Sequence, residues 1–269
     1  MLEIIKYIIL GLVQGLTEPL PISSSGHIMI VREFLAMPAA DYFLEIVLHG
    51  ASLIAILILF RQKIISLVVG NVRYIFKRDK AYINDFHYAL MILIGIIPAG
   101  IIGLLFKDVI EERILVYGLL TIGISLFVTG VFLLLVQRES TENVRTRLTP
   151  LDALTVGLFQ VFALLPGISR SGSTFVGGLF RKLEFKALVE YSFMLFIPVT
   201  FGSFLLEILS LDGSNPHPLS GLVVAFILSG VVTFFSLKWF VNMVQKGNLK
   251  VFAYYCFVVG IIAITIYFI

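Results

Sequence analysis

The chain has 269 residues, 59% of them hydrophobic and 14% charged, with mean hydropathy +1.02 and a formal net charge of +3. A water-soluble domain carries about 25% charged residues, so composition excludes that class, and the small net charge points away from nucleic acid. The single cysteine, Cys256, excludes an intramolecular disulfide and sits in an apolar run, as a small core residue does. Long apolar runs make this an all-α polytopic membrane protein, a single membrane domain over residues 1–269.

The N-terminal MLEIIKYIILGLVQG lacks a basic start and a small-residue cleavage pattern, and is expected to stay in the mature protein. It opens the first of two unusual segments. Residues 2–33 begin apolar, break at LPISSSGH and resume apolar, and neither half is long enough to span. Irregular backbone at membrane depth survives only where protein buries it or it lines a wet cavity. The segment is therefore expected to be a re-entrant helical hairpin, leaving on the side it entered.

Transmembrane helices are predicted next over residues 42–60, 88–106 and 114–136. Residues 151–180 form the second unusual segment, broken at LPGISRSGSTF and expected to be a second re-entrant hairpin. Three further spans are predicted over 188–209, 219–241 and 251–268. Each approaches the twenty or so residues that cross a ~30 Å hydrocarbon core.

Basic residues set the orientation. The loop after the first span holds Arg61, Lys63, Arg73, Lys77, Arg78 and Lys80. If each hairpin returns to its own side, Arg138, Arg145, Arg147, Arg181, Lys182, Lys186, Lys246 and Lys250 share that side. The other side receives Lys107, Arg113 and the loop SLDGSNPHPLS, which has no Lys or Arg. By the positive-inside rule the first side is cytoplasmic and both termini lie outside.

The chain also repeats itself. Shifted by 146 residues, GLVQGLTEPLPISSSG (residues 11–26) overlies GLFQVFALLPGISRSG (157–172) with seven identities: Gly11, Leu12, Gln14, Ile22, Ser23, Ser25 and Gly26 against Gly157, Leu158, Gln160, Ile168, Ser169, Ser171 and Gly172. A first repeat over 1–136, a polar linker over 137–150 and a second repeat over 151–269 follow. One hairpin plus three spans is an odd number of crossings, so the second copy is expected upside down. Inverted repeats with broken helices place a site at the bilayer midplane, where the breaks meet.

The polar residues of the breaks suit an anion. Gln14 and Glu18 are four apart and share a helix face, and an ionisable group at depth is a functional candidate by default. Ser23, Ser24, Ser25 and His27 follow where a new helix would begin, with free N–H groups and a positive dipole end. Ser169, Ser171, Ser173 and Thr174 repeat the arrangement, and Arg170 adds a planar fork suited to phosphate or carboxylate, with Glu18 as its resting partner. A histidine can pass protons, and a serine becomes a nucleophile beside a base. A phosphoryl-transfer enzyme fits these groups; a secondary transporter or lipid flippase would need the anion site but neither nucleophile nor proton carrier.

QGLTEPLPISSSGH resembles the (Glu/Gln)-x-x-x-Glu motif and Ser-rich stretch of the bacterial undecaprenyl-diphosphate phosphatase family, linked to bacitracin resistance, and PGISRSGST matches its Pro-Gly-x-Ser-Arg-Ser-x-x-Thr motif at every fixed position. VLHGASLIAIL and IIPAGIIGLLFKDVIEE are similar to further family segments, so the likeness covers most of the chain. The resemblance implies hydrolysis of undecaprenyl (polyprenyl) diphosphate to the monophosphate, which recycles the lipid carrier for peptidoglycan. It implies a divalent cation, Mg²⁺ or Ca²⁺, held at Gln14 and Glu18, in a pocket facing the outside of the bacterial cytoplasmic membrane. It makes Ser24 the nucleophile candidate, His27 the proton carrier and Arg170 the phosphate-binding arginine, with Ser169, Ser171 and Thr174 lining the phosphate site beside Ser23 and Ser25. Two positions depart from the pattern: Gln14 is the neutral variant, and Pro19 stands where an aromatic is expected.

Elsewhere, Glu45 and His49 form an i, i+4 pair on the first span, which suits either support of the site or packing to a neighbour. Small residues such as Gly118 and Gly123 could mediate helix contacts within a protomer or in a homo-oligomer.

Overall fold

The computed structural model describes residues 2–37, 42–136, 144–210, 217–244 and 249–269. The described residues are almost entirely helical: α1 (Leu2–Thr17), α2 (Ser24–Phe34), α3 (Tyr42–Leu59), α4 (Arg61–Lys77), α5 (Ile83–Val136), α6 (Pro150–Phe162), α7 (Arg170–Phe180), α8 (Phe185–Ser210), α9 (Leu219–Val244) and α10 (Lys250–Phe268). By length and composition five helical stretches among them can cross a membrane, or six if α3 and α4 count together as one bent span. Parts of the expected linker and of the SLDGSNPHPLS loop, together with Arg138 and Lys246, lie outside the described residues, as do the side chains of Lys107 and Arg113.

Two expectations need correction. The basic stretch after the first span is not a loop but helix α4, bent 74° from α3. Its exposed Ile65, Val68, Val69, Val72, Ile75 and Phe76 recur at helical spacing beside a strip of Gln62, Ser66, Arg73 and Lys77, so the segment is an amphipathic helix. The spans predicted over 88–106 and 114–136 are joined without a loop. Helix α5 continues through residues 107–117, which lack glycine and proline, and breaks only at Gly118, with φ 30° and ψ −109°.

Both broken segments fold as closed hairpins. In the second, the α6 cap residue Thr149 and Asp152 form a reciprocal capping box. Asp152 also accepts from Arg181 Nε at 2.9 Å, just past the end of α7, and from Arg145 Nη1 and Nη2 at 3.1 and 3.0 Å. The start of α6 and the end of α7 are thus tied together. In the first hairpin, Tyr7 and Leu10 of α1 share an apolar cluster with Ile28 of α2 and Leu44 and Leu48 of α3.

Close backbone approach holds the helices together, since lipid supplies no hydrophobic drive between them. A Cβ on Gly11 of α1 would stand 2.7 Å from Ala225 O of α9, and one on its repeat counterpart Gly157 of α6 would collide with Gly95 O of α5. Gly123 of α5 is filled by Ile264 and Gly260 of α10, so this small residue serves packing within the chain. Hydroxyls add cross-links: Ser52 of α3 lies 3.1 Å from Ser229 Oγ and 2.9 Å from Thr233 Oγ1 of α9. Contacts gather at two ends of the bundle. Tyr7 OH meets His217 Nδ1 at 2.7 Å at one end, while Lys63–Glu190 (2.8 Å) and the Arg145–Asp152–Arg181 cluster mark the other.

Candidate active site

The two breaks meet. Ser171 Oγ in the second donates to Leu20 O in the first at 3.2 Å, and the Gly26 position of α2 packs on Gly167. Each break starts a short helix capped by a serine: Ser23 Oγ accepts from Gly26 N (3.3 Å) and Ser169 Oγ from Gly172 N (3.1 Å). The second hydroxyl of each set stands close by, Ser25 Oγ 3.3 Å from Ser23 Oγ and Ser171 Oγ 3.2 Å from Ser169 Oγ. The backbones take different routes to the same cap. Ser23 itself sits at φ 68°, a costly region for a side-chain-bearing residue, whereas Ser169 lies at −70° and Gly167 supplies the positive φ of 88°. A Cβ on Gly167 would also meet Ser125 Cβ and Ile122 O of α5 at 2.7 and 2.9 Å, so only glycine fits that turn.

Glu18 is the hub. It sits in the turn after α1, buried to 7% exposure. Its Oε2 accepts from Ser24 Oγ at 2.5 Å and from Gln14 Nε2 at 2.9 Å, and its Oε1 accepts from Arg170 Nη2 at 2.8 Å. Arg170 in turn donates from Nη1 to Thr200 Oγ1 of α8 at 2.8 Å and stacks over the Phe196 ring at 3.9 Å. Two elements from the first half and two from the second therefore fix one carboxylate, one hydroxyl and one guanidinium plane.

These groups open onto a cavity of about 240 Å³. Glu18, Ser23, Ser24, Ser25, Ser169, Arg170 and Ser171 lie on its wall. Three residues expected there do not. Gln14 is fully buried behind Glu18, with its amide nitrogen spent on that carboxylate. Thr174 is fully buried, its hydroxyl directed at Arg170 O and Ser171 O (3.1 and 3.0 Å) and 2.6 Å from Ser192 Oγ, which does reach the cavity. His27 is absent from the wall, its Nδ1 2.7 Å from Ser23 O and its Nε2 2.9 Å from Tyr255 OH of α10, with the two rings stacked. A carbonyl only accepts, so Nδ1 carries the proton and Nε2 takes the phenol's. Both nitrogens are thereby occupied away from the cavity.

Another histidine lies there instead. His49 Nε2 is 3.6 Å from Glu18 Oε2, its Nδ1 is 3.0 Å from Glu45 O, and His49 and Glu45 both line the cavity. Of the two readings of this pair, support of the site is the one the geometry favours. Glu45 also accepts from Arg32 Nη1 at 2.8 Å, anchoring a guanidinium that is fully buried. The polar i, i+4 pair inside an apolar span was the sequence signal for His49. Thr200 and Phe196 carry no sequence signal of their role, because α8 is apolar around them and only packing brings them to Arg170.

A divalent cation fits this wall in one respect. Among the described residues no three His, Cys, Asp or Glu side chains converge as a metal cage. Two carboxylates on one wall suit Mg²⁺ or Ca²⁺, which commonly use one or two carboxylates plus substrate phosphates and water. Those carboxylates are Glu18 and Glu45. Gln14 lies off the wall, its amide nitrogen given to Glu18 and its Oε1 buried without a hydrogen-bond partner.

The family model described as Bacitracin resistance protein BacA matches residues 7–262. Undecaprenyl-diphosphatase 1 of Bacillus cereus is 41% identical over 265 residues, covering 97% of each chain. Undecaprenyl-diphosphatase of Oceanobacillus iheyensis is 40% identical over 263 residues, covering 97% of this chain and 96% of that one. Undecaprenyl-diphosphatase 1 of Halalkalibacterium halodurans is 36% identical over 266 residues, covering 98% and 96%.

Proposed function

Because the chain belongs to the bacitracin resistance protein BacA family, we propose that it is an undecaprenyl-diphosphatase, a multi-pass membrane enzyme that removes the terminal phosphate of undecaprenyl diphosphate. The monophosphate it releases re-enters cell-wall synthesis as the lipid carrier. The observation that carries this reading is the hydrogen bond from Ser24 to Glu18 beside Arg170. A transporter or flippase needs the arginine but has no use for a hydroxyl donating to a buried carboxylate.

The residues divide the work as follows. Phosphoryl transfer needs positioning and neutralisation of charge more than covalent assistance. The diphosphate enters the cavity and competes with Glu18 for Arg170, whose plane Thr200 and Phe196 hold. The N-termini of α2 and α7, with the hydroxyls of Ser23, Ser25, Ser169 and Ser171, face the phosphate oxygens. Ser24 Oγ attacks the terminal phosphorus while its proton passes to Glu18. The bridging P–O bond breaks and its electron pair leaves on the lipid monophosphate. Water then hydrolyses the phosphoserine, with Glu18 returning the proton to Ser24. A divalent cation, Mg²⁺ or Ca²⁺, held by Glu18 and Glu45 would screen the diphosphate charge. His27 holds the Ser23 carbonyl and so the cap on which Ser24 stands.

The protein resides in the bacterial cytoplasmic membrane with the cavity facing outside. The distribution of Lys and Arg supports that orientation, and contacts within each end of the bundle agree with the expected grouping of the loops. The two halves form an inverted pair, supported by their matching serine caps and by the equivalent close packing at Gly11 and Gly157. The deciding measurement is phosphate release from a polyprenyl diphosphate by purified protein in detergent with Mg²⁺ or Ca²⁺. Release that disappears in Glu18→Ala and Arg170→Ala is expected; no release from wild type overturns the reading.

A further inference from the structure

Gln160 is the repeat counterpart of Gln14; both side-chain oxygens are buried without a partner, and only Gln14 has its amide nitrogen paired. Gln14 donates to Glu18, four residues on and one helical turn away. Four residues after Gln160 comes Leu164, which has nothing to accept with. Gln160 is 2% exposed, and both its Nε2 and Oε1 lack a protein partner. It is not turned into the core, because it lines the same cavity as Glu18 and Arg170. Ala99, Ala163, Leu164 and Ile168 on the same wall offer it no polar side chain, and what enters the cavity can satisfy the amide.

Buried amides are almost always hydrogen-bonded, and each orphan in a folded protein calls for a reason. Packing is a poor reason here, since a leucine fills the same space without a desolvated polar group. Ligand pockets, by contrast, are mostly apolar with a few placed polar groups that fix orientation. A neutral amide can both donate and accept, and within this cavity it adds a donor that Arg170 and the serine caps leave at another point of the wall.

We propose that Gln160 is a substrate-binding residue for the diphosphate, its amide N–H₂ donating to a phosphoryl oxygen while its carbonyl accepts from a water of the phosphate's hydration. This rests on the phosphatase reading. The first repeat keeps its glutamine to hold the catalytic carboxylate; the second, having a leucine in place of that carboxylate, keeps its glutamine for the ligand. Glu18 and Ser24 are untouched by the amide, so its contact persists through the reaction and strengthens ground and transition states alike. Loss of such uniform binding raises KM and leaves kcat in place.

The test compares wild type with Gln160→Leu and Gln160→Glu in detergent, measuring phosphate release from a polyprenyl diphosphate. Alongside it, the rise in Tm caused by a non-hydrolysable methylene-bridged polyprenyl diphosphonate is recorded. For Gln160→Leu, KM should rise about tenfold, as expected for one lost hydrogen bond to a charged group, with kcat within about threefold. The ligand-free Tm should stay level or rise, because a desolvated orphan has been removed, while the analogue-induced rise in Tm should shrink. Gln160→Glu, which sets a carboxylate against the diphosphate, should raise KM further. A wild-type KM and an unchanged analogue shift in Gln160→Leu overturn the assignment while leaving the phosphatase reading intact. Absence of turnover in wild type overturns the phosphatase reading, and the analogue shift still reports separately on Gln160.

Discussion

Glu18 and Arg170 stand 152 residues apart in the chain and meet at 2.8 Å, each from the break of a different hairpin. The carboxylate side chain is 1% exposed and the guanidinium 25%, so loss of Arg170 strands a buried charge on Glu18. Arg170→Ala should lower kcat by about 10²–10³, the usual loss on removing one preorganised charge-stabilising donor. Arg170→Lys keeps the charge but not the fork that spans Glu18 and Thr200, and should fall between Ala and wild type. Steady-state phosphate release measures both. In thermal unfolding, the Glu18→Ala/Arg170→Ala double variant should lose less than the sum of the singles, because each single leaves an unpaired charge.

Ser24 and Ser25 are neighbours with different partners. Ser24 Oγ donates to Glu18, whereas Ser25 Oγ lies 3.3 Å from Ser23 Oγ. Ser24→Ala should reduce turnover by more than about a thousandfold, and Ser25→Ala by less than about tenfold. Equal losses in single-turnover assays would remove Ser24 from the nucleophile's place.

The two histidines should separate by readout. His49, within reach of Glu18, should act on chemistry, and His49→Ala should lower kcat about tenfold with little change in Tm. His27 acts through the cap. Tyr255→Phe deprives its Nε2 of a donor and should lower stability by about 1 kcal/mol while retaining most activity. His27→Gln, which keeps a donor near Ser23 O, should retain more activity than His27→Ala. Unfolding in detergent and initial rates together check the pair.

Helix packing at the repeat-related glycines should be intolerant. Gly157→Val drives a branched side chain into Gly95 O and should cost about 1–3 kcal/mol. Gly202→Ala, with nothing within 4 Å of the added Cβ, should be neutral and serves as the control.

Orientation is accessible because the native Cys256 is buried and should give little background labelling. Lys77→Cys on α4 should resist a membrane-impermeant maleimide applied to intact cells and react after permeabilisation. Leu219→Cys, 74% exposed at the start of α9, should react from outside. The reverse pattern would invert the topology.

Much of this protein is written locally. Long apolar runs dictated spanning helices because lipid leaves the backbone no other partner, and the polar breaks declared themselves because such residues are costly at depth. The seven identities align Ser23 with Ser169, and each caps a short helix, since capping depends on residues three apart. Other features depend on what lies across the bundle. Helix α4 was hidden because basic residues read equally well as a loop, and its apolar face becomes meaningful only once α3 bends by 74°. The two histidines depend on it as well: His27, three residues after Ser24, bonds Tyr255 across the bundle, while α3 delivers His49 to Glu18. Local sequence determined which segments are helices and where they break; only tertiary packing decided which side chains share the cavity, because its wall is assembled from helices far apart in the chain.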